Sequence, residues 1–169
     1  MSKKTIWITG GSTGIGKALA IKFANKGWNV AVSARRVELL DDLSKNYENI
    51  SSFPLDVTDK VKCIEVFNQI KTKFENIDIC FFSTGTWNPK KEKEIDVEQM
   101  EDVFKVNFFG TVNSIKAVEQ YYRERKNGII TIVSSIAGYR GLPNSTGYGP
   151  VSYTHLRAHE TRGNLVCRL

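Results

Sequence analysis

Thr9-Gly10-Gly11-Ser12-Thr13-Gly14-Ile15-Gly16 decides the fold through what stands on either side of it. Ahead lies Thr5-Ile6-Trp7-Ile8, a short apolar β-prone run; behind, Ile15, Leu19 and Phe23 recur at helical spacing and predict the inner stripe of a first helix. The glycines therefore occupy a strand-to-helix turn. Such a turn binds phosphate, because glycine adopts backbone angles closed to other residues and brings no Cβ to block a pyrophosphate. The helix that follows offers N–H groups and the positive end of its dipole to the anion.

The same alternation continues outward. Asn29 to Ala34 reads as a second strand, and Val37 to about Asn46 as a helix with Leu39, Leu40 and Leu43 on one face. Ile50 to Leu55 is a weaker third strand, and Asp59 to Phe74 a third helix with Ile64, Phe67 and Ile70 on its apolar side. Ile77 to Phe82 is near-continuously apolar, as a parallel strand covered on both faces requires. Trp87 to Glu94 is a polar, lysine-rich connection. From about Val97 through Tyr122 a short helix runs into a long one whose inner face combines Val103, Val106, Phe109 or Gly110, and Asn113 or Ser114. Gly128 to Val133 is the fifth strand, and Ser134 to Gly147 a Gly/Ser-rich loop. Strands alternating with helices of this length predict a doubly wound, Rossmann-like α/β sheet, truncated after the fifth strand.

Composition bounds the function. The 169 residues suit one domain, and the net charge of +6 from 24 Lys and Arg against 18 Asp and Glu is spread over many lysines. No dense basic stripe with interleaved aromatics favours nucleic acid. The opening Met1-Ser2-Lys3-Lys4 leads directly into a strand, without a signal-like or membrane-spanning segment, which reads as cytosolic. Cys63, Cys80 and Cys167 have no CxxC or Cys/His ligand spacing, so neither a disulfide framework nor a metal site is expected.

Two rival phosphate motifs fail at the first turn. Gly11 to Lys17 fits a P-loop until Ala18 stands where a Mg²⁺-ligating hydroxyl is needed, which argues against a nucleoside triphosphatase. The common GxGxxG spacing fails as well, since the glycines stand at 10, 14 and 16. TGxxxGxG after the first strand, Leu55-Asp56-Val57 after the third, Asn107 in the long helix, Ser135 after the fifth strand and Tyr148 thirteen positions later together resemble the short-chain dehydrogenase/reductase family over about residues 5 to 149.

That resemblance implies the following roles. Gly10, Gly14 and Gly16 line the pyrophosphate, with Ser12, Thr13 and Ile15 adding backbone or hydroxyl contacts. Asp56 accepts from the adenine amino group beside Val57, although Asp56, Thr58 and Asp59 are equally types that cap a helix. At the end of the second strand an NAD enzyme carries a carboxylate for the ribose 2′-OH. Here Ser33-Ala34-Arg35-Arg36 offers none, and Arg35 would meet a 2′-phosphate, so NADP(H) is favoured over NAD(H). Where the family carries Asn-Asn-Ala-Gly, this chain has Phe82-Ser83-Thr84-Gly85; Gly85 keeps the close approach, and Ser83 substitutes in part for the missing Asn side chains.

Hydride exchange between a nicotinamide and a carbonyl or alcohol needs a proton donor and acceptor and a group that steadies the oxygen. The resemblance assigns these to Tyr148 and Ser135, with Asn107 holding a water toward a lysine four residues after the tyrosine. Position 152 is Ser here, and no lysine follows Lys126. The resemblance further implies a small carbonyl or alcohol substrate and a homo-oligomer. The alternative is a dinucleotide-binding regulator without catalysis.

Pro150 to Leu169 resembles no part of that family. It is similar to one reading frame of a sequencing adapter, from Val151-Ser152-Tyr153-Thr154-His155-Leu156 through Ala158-His159-Glu160-Thr161. Residues 1–149 are therefore expected to be an incomplete dinucleotide-binding domain, inactive as it stands, and 150–169 a foreign tail. The pair His155 and His159, at helical spacing, invites a metal reading that rests on this tail alone.

Overall fold

The computed structural model describes residues 3–87, 96–138, 148–149 and 151–152. Strands β1 (Thr5–Thr9), β2 (Asn29–Ser33), β3 (Ile50–Ser52), β4 (Ile79–Phe82) and β5 (Ile129–Ile132) form one parallel sheet in the order β3-β2-β1-β4-β5. This is the doubly wound order, with the crossover between β1 and β4 at its centre. The helices are α1 (Gly14–Asn25), α2 (Val37–Asn46), α3 (Lys60–Phe74), α4 (Val97–Val103) and α5 (Gly110–Arg125).

Alternation along β1 distributes the core. Ile6 and Ile8 join Val30, Val32, Ala20, Leu40 and Leu43 on one face. Trp7 turns to the other, among Ala31, Cys80, Phe82, Val66, Phe67 and Val118. Both faces are covered, so β1 is buried at all five positions. The Trp7 indole N–H donates to Ser33 Oγ at 3.0 Å, which satisfies the ring's one polar atom.

Burial pushes the Cys80 thiol up to about 12 and the Cys63 thiol up to about 11. Neither is a nucleophile near neutral pH; both behave as small apolar side chains. At the N-terminal end of the sheet, Arg125 donates to Asp78 Oδ1 at 2.9 Å while Asp78 Oδ2 accepts from Thr5 N at 2.8 Å, joining α5 to the β1 and β4 strand ends.

Several sequence expectations are corrected. On α1 the buried stripe is Gly16, Ala20 and Ala24, and Ile15 is 62% exposed. The helix lies too close to the sheet for large side chains directly beneath it, so Leu19 and Phe23 pack from the flanks. On α3 the inner face is Cys63, Val66, Phe67 and Ile70, and Ile64 is 41% exposed. The cap of α3 is Asp59, which accepts from Lys62 N at 2.9 Å. Asp56 instead accepts from the backbone N and the hydroxyl of Thr58, a local turn that leaves it outside the helix.

The predicted long helix contains a π-helical turn, Phe104–Phe109, between α4 and α5. Its extra residue rotates Asn107 and Gly110 inward and leaves Phe109 56% exposed. Thr111 donates through its hydroxyl to the Asn107 carbonyl and Ser114 to the Gly110 carbonyl, each at 2.8 Å. Residues 88–95 and 139–147, together with His155 and His159, lie outside the described residues.

Candidate functional site

The C-terminal ends of β1, β2 and β4 open into a cavity of about 510 Å³ at the topological switch point. Its floor is the glycine turn: Gly10, Ser12, Thr13, Gly14, Ile15 and Gly16 all line it. Two of the glycines there are irreplaceable for different reasons. Gly10 has φ 73°, and a Cβ on it would meet the Ser83 carbonyl group at 2.8 Å. Gly16 has ordinary helical angles, but its Cβ would overlap the Gly10 carbonyl oxygen. The N–H groups of the first turn of α1 have no intrahelical acceptor and present the positive helix end to this space.

The other walls come from the next strand ends. Arg35 and Arg36 stand after β2, Asp56 and Val57 after β3, and Gly85 after β4. All the residues assigned to cofactor binding from the sequence therefore border one cavity. Ala34, Leu55, Ser83, Thr84 and Val106 also line it. The guanidinium of Arg36 donates to Ser12 Oγ at 3.0 Å and to Thr13 Oγ1 at 2.7 Å, tying α2's first turn to the glycine turn. Ser83 donates through its hydroxyl to the Thr9 carbonyl at 2.7 Å, so it does hold the ends of β4 and β1 together.

A smaller cavity of about 200 Å³ adjoins the first and shares Ser83, Thr84 and Gly85 with it. Tyr148, Asn107, Thr111, Trp87 and Ser152 line it. Tyr148 and Ser152 sit one helical turn apart, and Ser152 Oγ donates back to the Tyr148 carbonyl at 3.0 Å. The Asn107 side chain is fully directed: Oδ1 accepts from Thr86 N at 2.7 Å and Nδ2 donates to Thr86 O at 2.9 Å. Ser135 is half-buried, accepts from Ala137 N at 3.2 Å and lines neither cavity, whereas its neighbour Ser134 lines the smaller one.

The orphaned Thr84 Oγ1, buried without a hydrogen-bond partner among the described residues, belongs to a residue that borders both cavities. Thr5 Oγ1, Thr9 Oγ1 and Ser52 Oγ are unpaired in the same way and line neither cavity, so the Thr84 hydroxyl does not by itself mark a ligand. Trp87 was missed as a site residue because sequence alone marks it only as the start of a polar connection. Among the described residues no group of His, Cys, Asp and Glu could hold a metal ion, and no helix is long and apolar enough to cross a membrane.

Comparison with known proteins accords with this geometry. Residues 4–150 match the short chain dehydrogenase family, and the chain belongs to it, which places it in a class of oxidoreductases. It is 31% identical to a 3-oxoacyl-(acyl-carrier-protein) reductase of Thermotoga maritima, over 96% of this chain and 70% of that protein. It is 35% identical to an NADPH-dependent 1-acyldihydroxyacetone phosphate reductase of Schizosaccharomyces pombe, over 82% of this chain and 46% of that protein. Among solved structures, ElxO with NADP bound matches with a TM-score of 0.83 and 31% identity, over 89% of this chain and 63% of that one. The chain spans between 46% and 70% of the length of such curated relatives.

Proposed function

We propose that this chain binds NADP(H) in preference to NAD(H) and carries the cofactor half of an enzyme that interconverts a carbonyl and an alcohol. The observation that carries the reading is the single cavity into which the glycine turn, Arg35 and Asp56 all converge. Its residues fit a phosphorylated dinucleotide: a glycine cradle and helix end for the pyrophosphate, a carboxylate acceptor for adenine, and a planar, always-charged donor for the 2′-phosphate. When bound, the cofactor supplies or accepts the hydride.

The chain's own residues do the rest. Tyr148 holds the proton exchanged with the substrate oxygen; the family pattern gives Ser135 the hydroxyl that steadies that oxygen, although here Ser135 lines neither cavity and its neighbour Ser134 forms the wall. A tyrosine with a pKa of about 10 needs a neighbouring cation to work near neutral pH. Among the described residues no Lys or Arg lines the Tyr148 cavity, and Ser152 occupies the position one turn on. We therefore read the chain as a competent cofactor binder with little turnover, with residues 150–169 foreign to it. The same feature supports the second reading, a regulator that binds the dinucleotide without chemistry. In either reading the ligand is a small molecule, and cytosolic placement and homo-oligomerisation complete the proposal.

Arg35→Asp tests the cofactor assignment. Loss of a charge-assisted contact, at about 1.5–3 kcal/mol, should weaken NADPH binding roughly 10- to 100-fold and shift preference toward NADH. An unchanged NADPH-to-NADH affinity ratio, measured by calorimetric titration, refutes the role of Arg35.

A further inference from the structure

The helices α1, α2, α3 and α5 each stop just before the next strand begins, so their last turns gather at the N-terminal end of the sheet, opposite the cofactor cavity. Those turns are basic: α1 and α2 carry Lys22 and Lys45, and α3 carries Lys71 and Lys73. Lys26 and Lys126 are the C-caps of α1 and α5, and Lys3 and Lys4 lead into β1 at the same end. With Arg123 and Arg125 of α5, this end holds ten Lys and Arg against five acids, Glu48, Glu75, Asp78, Glu119 and Glu124. Elsewhere up to Gly149 the charges nearly cancel, eleven Lys and Arg against twelve Asp and Glu. The positive charge of the domain is therefore sorted to one end. Trp87 and Tyr148, which flank residues 88–95 and 139–147, line a cavity at the other end.

Helix dipoles account for only part of this sorting. Each helix C-terminus carries about half a negative charge, so four of them offset about two of the five excess positive charges. Ion pairing removes little more. Arg125 is paired with Asp78 and Arg123 with Glu119, whereas the eight lysines have no ion pair among the described residues. All are exposed except Lys71, which is half-buried.

The surface that carries them is held in shape. Asn49 donates to the Ala24 and Trp28 carbonyls, each at 2.8 Å, which joins the end of α1 to the turn before β3. Lys4 Nζ lies over the half-buried Trp28 ring at 5.6 Å from its centroid, Lys73 over Phe74 at 5.7 Å and Lys71 over Tyr121 at 6.0 Å. Lysine stems laid along aromatic rings with their charged tips toward water suit the boundary between an apolar and an aqueous phase.

We propose that this end of the sheet docks on an anionic membrane surface, its lysines meeting lipid phosphate and carboxylate headgroups while the cofactor cavity faces water. The residue types favour lipid over nucleic acid. The unpaired cations are all compact ammonium groups rather than guanidinium forks, and the rings of Trp28, Phe74 and Tyr121 lie beneath lysines instead of standing free to stack on bases. Docking of this kind requires no membrane-crossing helix. Each lysine brought to an anionic leaflet contributes about fivefold to partitioning.

The test sediments the full chain with vesicles of phosphatidylcholine alone and of phosphatidylcholine mixed with phosphatidylserine. Two variants are compared with it, each four charges less positive. One combines Lys4→Gln, Lys26→Gln, Lys73→Gln and Lys126→Gln; the other combines Lys60→Gln, Lys62→Gln, Lys105→Gln and Lys116→Gln, away from this end. The unsubstituted chain should bind the mixed vesicles at about 0.1 M salt, not those of phosphatidylcholine alone, and should be released at about 1 M, where the screening length falls to about 3 Å. The first variant should bind about 100-fold more weakly or worse, and the second within about fivefold of the unsubstituted chain. Lys4→Gln alone should cost about fivefold, which keeps the test open if the fourfold variant fails to fold.

No binding to the mixed vesicles, equal losses in the two fourfold variants, or no loss in the first overturns the proposal. So does displacement of NADPH by the vesicles, because the arginines of the cofactor cavity would then be the membrane contact. A single-stranded oligonucleotide bound as tightly as the mixed vesicles, and lost in the first variant alone, overturns it in favour of nucleic acid.

Discussion

Gly16→Ala should weaken NADPH binding about 10- to 100-fold, and Gly14→Ala should not. The two glycines stand two positions apart in one turn, and the contrast separates space from backbone conformation. A methyl on Gly16 is forced onto the Gly10 carbonyl oxygen, with the Gly10 carbonyl carbon at 2.8 Å and Ser83 Oγ at 3.0 Å. Because the obstacle is backbone, relief requires opening the turn. Overpacking of this kind costs about 1–3 kcal/mol, and each 1.4 kcal/mol is tenfold in affinity, so binding should fall about 10- to 100-fold. Gly14 has φ 55°, but its Cβ would have nothing within 4 Å. Alanine there costs only the left-handed strain of about 1–2 kcal/mol, paid in fold stability rather than in blocked approach. Calorimetric titration together with thermal denaturation distinguishes the two, and equal affinity losses in both variants would contradict the close-packed turn.

The second large effect is a gain. Ser152→Lys should raise carbonyl reduction with NADPH about 10²-fold or more over the unsubstituted chain. Ser152 is buried, lies one turn from Tyr148 and lines the same cavity, so a lysine there brings an ammonium beside the phenol. An opposite charge at about 4–6 Å lowers an acidic pKa by about 1–3 units, and positioned acid–base catalysis contributes about 10²–10⁴-fold. The sign is fixed: in reduction Tyr148 must donate its proton, so favouring the phenolate moves the high-pH fall of the pH–rate profile to lower pH, and in alcohol oxidation, where the phenolate is the base, it moves the rise to lower pH. An increase in rate with an unmoved profile would point to a role other than acid–base, and no increase would favour the regulatory reading.

The order of strands and helices was legible because parallel strands buried on both faces and helices of amphipathic period write their positions in apolar spacing. The glycine turn was equally legible, since glycine at 10, 14 and 16 after an apolar strand has a stereochemical reason to be there. What spacing could not reveal was which face wins. Hydrophobicity ranks Ile15 above Gly16 and Ala20, but the close approach of α1 to the sheet selects for small volume. The π turn around Asn107 was hidden for a related reason: the Asn107 amide is held by Thr86, twenty-one positions away, a contact no local spacing signals. Asp56 and Asp59 were indistinguishable as caps until Lys62 N chose Asp59. The engagement of Arg36 with Ser12 and Thr13 joins residues more than twenty positions apart, which no local pattern signals.

The most direct test is calorimetric titration of the 169-residue chain with NADPH and, separately, with NADH. Saturable binding of NADPH at one site per chain, tighter than NADH and weakened in Gly16→Ala, is the predicted result. No saturable binding, or equal affinity for the two cofactors, would contradict an NADP(H) site built on Thr9 to Gly16 and Arg35.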